Sequence, residues 1–540
     1  MQNIWYKNAV IYCVDVETFQ DSNGDGVGDF RGLKDRLDYI AGLGATCIWL
    51  LPFFATPNRD NGYDISDYYA VDPRLGTLGD FVEFTRLANE RGLRIIVDLV
   101  VNHTSDRHPW FEAAVSDRQS AWRDWYLWSD EQPADHAEGM VFPGHQKTTW
   151  TWDDRAGAYY FHRFYEFEPD LNIANPAVRE EIERIMGVWL QLGVSGFRVD
   201  AVPFVIETRP REGEWVRHYD YLGELRAFMS WRRGDAVMLA EANVTPDEVA
   251  DYVGDGDRMN MMFNFIVNQR LFLALARDDA RPLAAALRDL PGLPQRCQWA
   301  SFLRNHDELD LGRLDPAERE ACFARFAPDP DMRLYGRGIR RRLAPMLGND
   351  RRRLELAYSL MFSLPGSPVL WYGEEIGMGD DLCQPERSAV RTPMQWSDER
   401  HGGFTAARDP VRPVIADGPF GYDRVNVAAQ QRDRRSLLSW VQAAARVRRG
   451  LPELGWGGCE LLETGEDTVL AHRARWRGRT SVILHNLGPD PREVTLPDLS
   501  DGGRRLQDVF SDADYDGPVD SDGPVRLSGY GYRWLQLTAA

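Results

Sequence analysis

Gly196-Phe197-Arg198-Val199-Asp200-Ala201-Val202-Pro203 is the stretch that decides the fold. Before it, Val188-Trp189-Leu190-Gln191-Leu192-Gly193 reads as a helix end stopped by glycine. A short apolar strand follows, and Pro203 is expected to break the chain. Alternate strand residues share a face, so Arg198 and Asp200 point together while Phe197 and Val199 point the other way. An arginine beside an aspartate keeps the carboxylate ionised, and an ionised, fixed carboxylate at a strand's carboxyl end suits a covalent nucleophile. Taken alone, the same four residues fit a helix cap with a structural arginine.

The flanking sequence repeats the pattern. Apolar runs at Ala9–Val14, Cys47–Leu51, Arg94–Val101, Ala236–Ala240, Met261–Asn264, Ala300–Arg304 and Ser367–Tyr372 read as buried strands. Leu33–Leu43, closed by Gly44, and Phe81–Arg91, closed by Gly92, read as helices between them. Wherever the carboxyl end of a strand is legible, it carries Asp, Glu, Asn or His: Asn102-His103, Asp200, Glu241 and Asn305-His306-Asp307-Glu308. The fold class is therefore α/β, a (β/α)8 TIM barrel with its site on the top face. The barrel is expected over 1–102 and 173–448. An inserted domain B follows strand three at 103–172, and a lid-like insertion lies between strands seven and eight at 309–350. A C-terminal antiparallel β-sandwich is expected at 449–540. Arg340-Arg341-Arg342 and Arg351-Arg352-Arg353 are expected to coat a solvated helical surface.

The formal charge of -20 disfavours nucleic acid and anionic membrane surfaces as partners and suits a neutral or cationic small molecule. No run of 18 apolar residues occurs, and Met1–Lys7 lacks a basic-then-apolar leader. The 6 cysteines are scattered without a CxxC, as expected of reduced thiols in a cytoplasmic protein. Oligomeric state is open, with a homo-oligomer among the outcomes. Asp21-Ser22-Asn23-Gly24-Asp25-Gly26-Val27-Gly28-Asp29 places oxygen ligands at alternate positions around glycine turns, an arrangement suited to Ca2+ or Mg2+. Gly32 stands where an EF-hand has its closing glutamate, so the loop is not an EF-hand.

A barrel brings Asp200, Glu241 and Asp307 to one mouth. Two carboxyls about 5 Å apart, one ionised and one protonated, cleave a glycosidic bond with retention. On Asp98-Leu99-Val100-Val101-Asn102-His103, Gly196–Asp200, Glu241, Asn305-His306-Asp307 and Asp170-Leu171-Asn172, the chain resembles glycoside hydrolase family 13, the α-amylase superfamily, over essentially its whole length. That resemblance implies Asp200 as nucleophile, Glu241 as general acid/base and Asp307 as transition-state stabiliser. Arg198, His103 and His306 would line the glucose subsite. It further implies that Asp60-Asn61-Gly62-Tyr63 blocks the pocket, with Asp60 on the far hydroxyls, Tyr63 stacked on the ring and Arg391 paired with Asp60. A blocked pocket implies exo action on a small α-glucoside.

Within the superfamily, Asn102–Phe111, Asp200–Pro203, Phe302–Leu309, Gly338–Pro345 and Tyr372–Asp380 are most similar to the trehalose synthases, the maltose–trehalose mutases. The resemblance adds Glu308 to the substrate-binding set. It implies structural calcium on Asp21, Asn23, Asp25, the Val27 carbonyl and Asp29. It implies a second calcium on Asn102, Asp170, Glu207 and the carbonyls of Phe204 and Val205. The segment Val14–Phe19, which lacks a basic residue near its end, Leu51, Asn61, Asp310 and the segment Ala242-Asn243-Val244-Thr245-Pro246, which lacks an aromatic before its proline, depart from the mutase pattern, and several are expected near the second sugar. The alternative activity is an α-glucosidase or transglucosylase on another small α-glucoside.

Overall fold

The computed structural model describes residues 4–209, 215–499 and 504–539. Eight strands close a parallel barrel: β1 Ile11–Val14, β2 Cys47–Leu50, β3 Arg94–Leu99, β4 Gly196–Val199, β5 Val237–Ala240, β6 Met261–Phe263, β7 Gln298–Phe302 and β8 Ser367–Trp371. Each pairs with its sequence neighbour, and β8 closes on β1 through Ile11–Val369 and Cys13–Trp371. Seven of the eight are buried along their whole length, and β3 everywhere except Arg94. This explains their near-continuous Val, Ile and Leu, since both faces of a parallel sheet are covered. The register puts Asp98, Arg198 and Leu239 side by side at the carboxyl ends of β3, β4 and β5.

Two local expectations need correction. The chain turns at Ala201, held at φ 45°, and Pro203 lies inside a short helix, Val202–Val205, rather than ending the segment. Proline is tolerated there because the first turn of a helix has no amide partner to lose. The helix expected over 33–43 is two helices, Phe30–Asp35 and Leu37–Gly42. They part at Arg36, whose guanidinium bonds the Gln20 amide oxygen and lies over Trp396 at 4.1 Å.

After β3 the chain leaves the barrel for a small three-stranded sheet of Trp128–Ser129, Ala158–Phe161 and Trp150–Asp153. Bridges between His103 and Asp170, and between Tyr126 and Leu171, tie off its base. After β7, a second excursion forms a three-stranded sheet (Leu309–Asp310, Gly338–Ile339, Arg333–Leu334) beside the helix Pro316–Phe326. Arg340-Arg341-Arg342 is not a solvated helical face. Arg340 bonds the carbonyls of Leu382, Gln384 and Glu386, Arg341 pairs with Asp380, and fully buried Arg342 pairs with Glu374. The triplet pins this excursion to the loop after β8, because buried carboxylates and free carbonyls there require cations.

The C-terminal unit is a six-stranded antiparallel sheet facing a two-stranded one, Arg492–Val494 with Val525–Leu527. Val482, Leu484, Leu506 and Leu535 from one sheet share a core with Val494, Val525 and Leu527 from the other. Among the described residues, all 6 cysteines are free thiols and no helix is long and apolar enough to cross a membrane.

The seam between barrel and C-terminal unit hangs on Ser359. Its hydroxyl accepts from the Trp534 indole at 2.8 Å and meets His485 Nε2 at 2.9 Å. Ser359→Ala leaves both groups buried without a partner, each costing about 1–3 kcal/mol. Urea titration is expected to show that loss as a lower midpoint, with turnover at 25 °C unchanged.

Candidate active site

The segments that follow seven of the eight strands, both excursions among them, meet at a cavity of ≈360 Å³ at the carboxyl end of the barrel, within the usual range for small ligands, roughly 300–1,000 Å³. Its wall includes Asp60, Tyr63, His103, Asp200, Glu241 and Asp307. A larger groove of ≈1020 Å³ runs outside the barrel and shares Asn243, Val244, Asp310 and Arg313 with this cavity. The carboxylates lie in the smaller space.

Arg198 is at the centre, 1% exposed. Its guanidinium reaches Asp200 at 2.5 Å, Glu241 at 2.7 Å and Asp98 at 3.3 Å. Burial alone lowers an arginine pKa, but the facing Asp98 and Glu241 hold this one protonated, well above its ordinary value. Asp98 is fully buried below it and takes the Trp49 indole and the Tyr63 hydroxyl, each at 2.7 Å. Ala201, turned by its positive φ, gives its amide to Glu241 at 3.0 Å, so one tight turn serves both carboxyls.

Burial raises Asp200 to about 6 against the pull of Arg198, with Asp98 adding to the rise. Burial likewise raises Glu241 to about 7, opposed by Arg198 and reinforced by Asp200 and Asp307. One member is thus poised as an anion and its neighbour as an acid. Asp307 differs. Burial works against its ionisation, but the His306 ring against it and the charges of Arg387, Arg391 and Arg198 outweigh it and hold it well below the usual carboxylate range. Its oxygens lie 2.8 Å from Arg391 and 3.0 Å from His306 Nε2. Burial keeps His306 neutral, far below its ordinary pKa, with Tyr63 stacked on its ring. His103 is lowered to about 4 by burial. Glu308 is raised to about 7 by burial and by Asp307.

Asp60 is paired with Arg387 at 2.8 Å, not with Arg391. Arg387 also reaches Asp307 at 3.3 Å, while fully buried Arg391 supports Asp307 and the His306 carbonyl from beneath. The two arginines are four residues apart on a 3₁₀ segment, Glu386–Val390 and its cap, where a turn takes three residues and a spacing of four changes face. Sequence reasoning missed Arg387, Phe142 and Phe164 on the wall. The basic residue one turn before Arg391 was the available signal for the first; the two rings had none. Among the departures, Asn243 and Asp310 do line the cavity, joined by a 2.9 Å hydrogen bond. Glu17 and Asn61 are not on its wall. They are bound to Arg412 behind the Asp60 loop, and Arg74 also holds Glu17.

In the loop 21–29, Asp21, Asp25 and Asp29 are met by neutral donors: backbone amides, the Ser22 and Thr405 hydroxyls and the Asn23 amide. Asp29 also caps the helix that follows it. In the second set, Arg163 pairs with Glu207 at 2.9 Å and its amide bonds Asp170 at 2.8 Å. Burial raises Asp170 to about 7. Phe204 and Val205 lie on the short helix after β4. Among the described residues, no three His, Cys, Asp or Glu side chains cluster as a metal centre.

Residues 13–313 and 340–457 match the alpha amylase catalytic domain. The chain belongs to the alpha-amylase family. Residues 478–536 match the sucrose hydrolase-like C-terminal domain. The chain is similar to a trehalose synthase of Pimelobacter sp. (strain R48), 40% identical over 99% of this chain and 96% of that one. It is also similar to a trehalose synthase/amylase of Mycobacterium tuberculosis (strain ATCC 25618 / H37Rv), 41% identical over 99% and 90%. Among solved structures, the trehalulose synthase from Pseudomonas mesoacidophila MX-45 superposes with TM-score 0.79 at 25% identity, covering 99% of each chain.

With Asp200 at about 6 and Glu241 at about 7, kcat/KM is expected to follow a narrow bell. Activity is expected to fall below about 6 as Asp200 takes up a proton, and above about 7 as Glu241 loses its own. A rate profile over pH 4.5–9 with an aryl α-glucoside checks both limbs; a plateau to pH 9 excludes Glu241 as the acid.

Proposed function

We propose that the protein is a retaining α-glucosyl enzyme that interconverts maltose and trehalose by intramolecular transfer. The carrying observation is one buried guanidinium holding Asp200 and Glu241 together on a cavity whose wall also carries the Asp60–Arg387 pair, which we read as closing its far end. A closed end admits one terminal glucosyl unit. The full-length similarity to trehalose synthases supports the choice of substrate.

In this mechanism the Asp200 carboxylate attacks C1 of the glucosyl unit while the Glu241 carboxyl protonates the departing glycosidic oxygen. The C1–O bond breaks, a C1–Oδ ester forms, and glucose is freed inside the cavity. Glu241, now ionised, takes a proton from the anomeric hydroxyl of that glucose, which attacks C1 and expels Asp200. Two inversions at the donor C1 retain its α configuration, and attack by the α-anomer of glucose gives the α,α-1,1 linkage. Asp307, an anion held between Arg387 and Arg391, faces the oxocarbenium-like charge that develops on the way. Glu308, His103 and His306 supply hydrogen bonds to hydroxyls.

Incubation with maltose, followed by chromatography, is the test. Trehalose is expected to exceed free glucose several-fold. Glucose alone makes the protein an α-glucosidase, the second reading, which Asn243 and Asp310 on the acceptor wall favour. Its compartment is read as cytoplasmic on the free thiols.

The loop 21–29 fits calcium by donor chemistry: hard oxygens from Asp21, Asn23, Asp25, Asp29 and the Val27 carbonyl, with three carboxylates that only neutral donors meet. The ion would supply structural charge and no chemistry. The set Asn102, Asp170, Glu207, Phe204 and Val205 fits less well, since Arg163 already answers Glu207. Dialysis against EGTA is expected to lower Tm by several degrees, calcium to restore it, and Asp25→Ala to remove that calcium-dependent part. A Tm indifferent to EGTA means the loop is held by its own amides.

A further inference from the structure

Glu386 is exposed to three donors that belong to two other parts of the chain. One carboxylate oxygen accepts the hydroxyls of Tyr165 at 2.6 Å and Tyr335 at 2.8 Å; the other lies 2.7 Å from His145 Nδ1. Tyr165 and His145 come from the excursion after β3, Tyr335 from the excursion after β7, and Glu386 from the loop after β8. Burial works against ionisation of Glu386, yet these donors, with Arg387, hold its pKa below the ordinary value.

Backbone strain marks the same node. Glu386 sits at φ 42° and Tyr335 at φ 55°, both in the left-handed region that side chains disfavour. Two directly bonded residues in that region persist because the surrounding contacts over-determine them, a pattern that concentrates at functional sites.

The node touches the cavity through its neighbours. Phe142 lies 4.8 Å from the Tyr165 ring and 5.0 Å from the Tyr335 ring, and the Arg387 guanidinium lies over it at 4.8 Å. Arg337 reaches across from Tyr335's side to the Val141 carbonyl at 3.1 Å. Val141, Phe142, Arg337 and Arg387 line the cavity; Glu386, Tyr165 and Tyr335 do not.

We propose that Glu386, Tyr165 and Tyr335 form a latch of positioning residues that seats Arg387 and Phe142 over the donor sugar and sets how the glucosyl group divides between water and a sugar acceptor. The latch rests on the retaining α-glucosyl reading above. Ordering comes from geometry: Arg387 binds Asp60 and Asp307 at once only if the residue before it is fixed, and Phe142 covers the cavity only while the two tyrosine rings flank it. An unlatched roof leaves the carboxylates in place and admits water.

The test uses the full chain, an aryl α-glucoside labelled in its glucosyl ring, and unlabelled glucose as acceptor. Released phenol counts total turnover, labelled glucose counts transfer to water, and labelled disaccharide counts transfer to sugar. Tyr165→Phe, Tyr335→Phe and their combination remove hydrogen bonds while keeping the rings; Glu386→Gln removes the charge. In the double variant, the ratio of disaccharide to glucose is expected to fall at least fivefold, with phenol release within about threefold of the parent. A ratio within twofold of the parent in every variant overturns the latch, as does a parent that sends all product to water. Loosening of the fold lowers phenol release and Tm together without moving the ratio, and that outcome also overturns it. Conversion of maltose to trehalose by the parent is scored separately, so failure of that activity and failure of the latch are distinct results.

Discussion

One buried cation governs this site. Arg198 is enclosed by Asp98, Asp200 and Glu241, and three carboxyls around one guanidinium cannot all be ionised at low cost away from water. The excess negative charge is relieved by protonation, and Glu241, with part of its side chain open to the cavity, titrates highest of the three. The acid therefore follows from charge balance around a fixed cation. Removing Arg198 would leave several buried carboxyls uncompensated, a loss of about 3–5 kcal/mol by the usual measure of a broken buried pair. Asp98 does not line the cavity, but it orients Arg198 and Tyr63 together, so the barrel floor and the pocket wall share one anchor.

A second set of arginines works the opposite way. Asp307 has Arg387 and Arg391 on one oxygen and His306 on the other. Its charge is over-compensated, so it stays an anion where Glu241 is a carboxyl. Two carboxyls at the ends of β5 and β7 thus differ in protonation because one shares a cation and the other has several. The barrel supplies the positions; the loop after β8 supplies the asymmetry.

The barrel and the convergence of three carboxyls on its mouth were legible because both rest on local rules. Near-continuous apolar strands announce a covered parallel sheet, and a polar residue at each carboxyl end announces the mouth. Asp200, Glu241 and Asp307 sit at those ends, so their convergence needed no distances. Arg391 and Asp60 failed as a pair for a complementary reason. Both lie in loops, and whether Arg387 or Arg391 faces Asp60 depends on a 3₁₀ turn that no periodicity announces. Arg340–Arg342 failed likewise: a basic run looks solvated until its carbonyl and carboxylate partners at and after β8, 30 to 46 residues away, are known. Glu17 and Asn61 looked like acceptor-site departures and proved to be one compensated group around Arg412, a pairing that spans more than 350 residues.

The acceptor side is where inheritance from the family ends. The glucosyl half of the cavity is enforced by buried ion pairs, and a change there disturbs several partners at once. The opposite wall, Asn243, Asp310 and Arg313, is held by a small hydrogen-bond network: Asn243 to Asp310 at 2.9 Å, Arg313 to the Asn243 carbonyl at 2.6 Å, and the Arg313 amide to Gln269 at 2.9 Å. Those contacts are part-buried or exposed and individually worth about 0.5–1.5 kcal/mol, less than the buried ion pairs of the other half. The same three residues separate the cavity from the outer groove. A wall that is cheaper to alter and lies between two spaces is where the shape of the cavity can change while the three carboxyls and their arginines stay as they are.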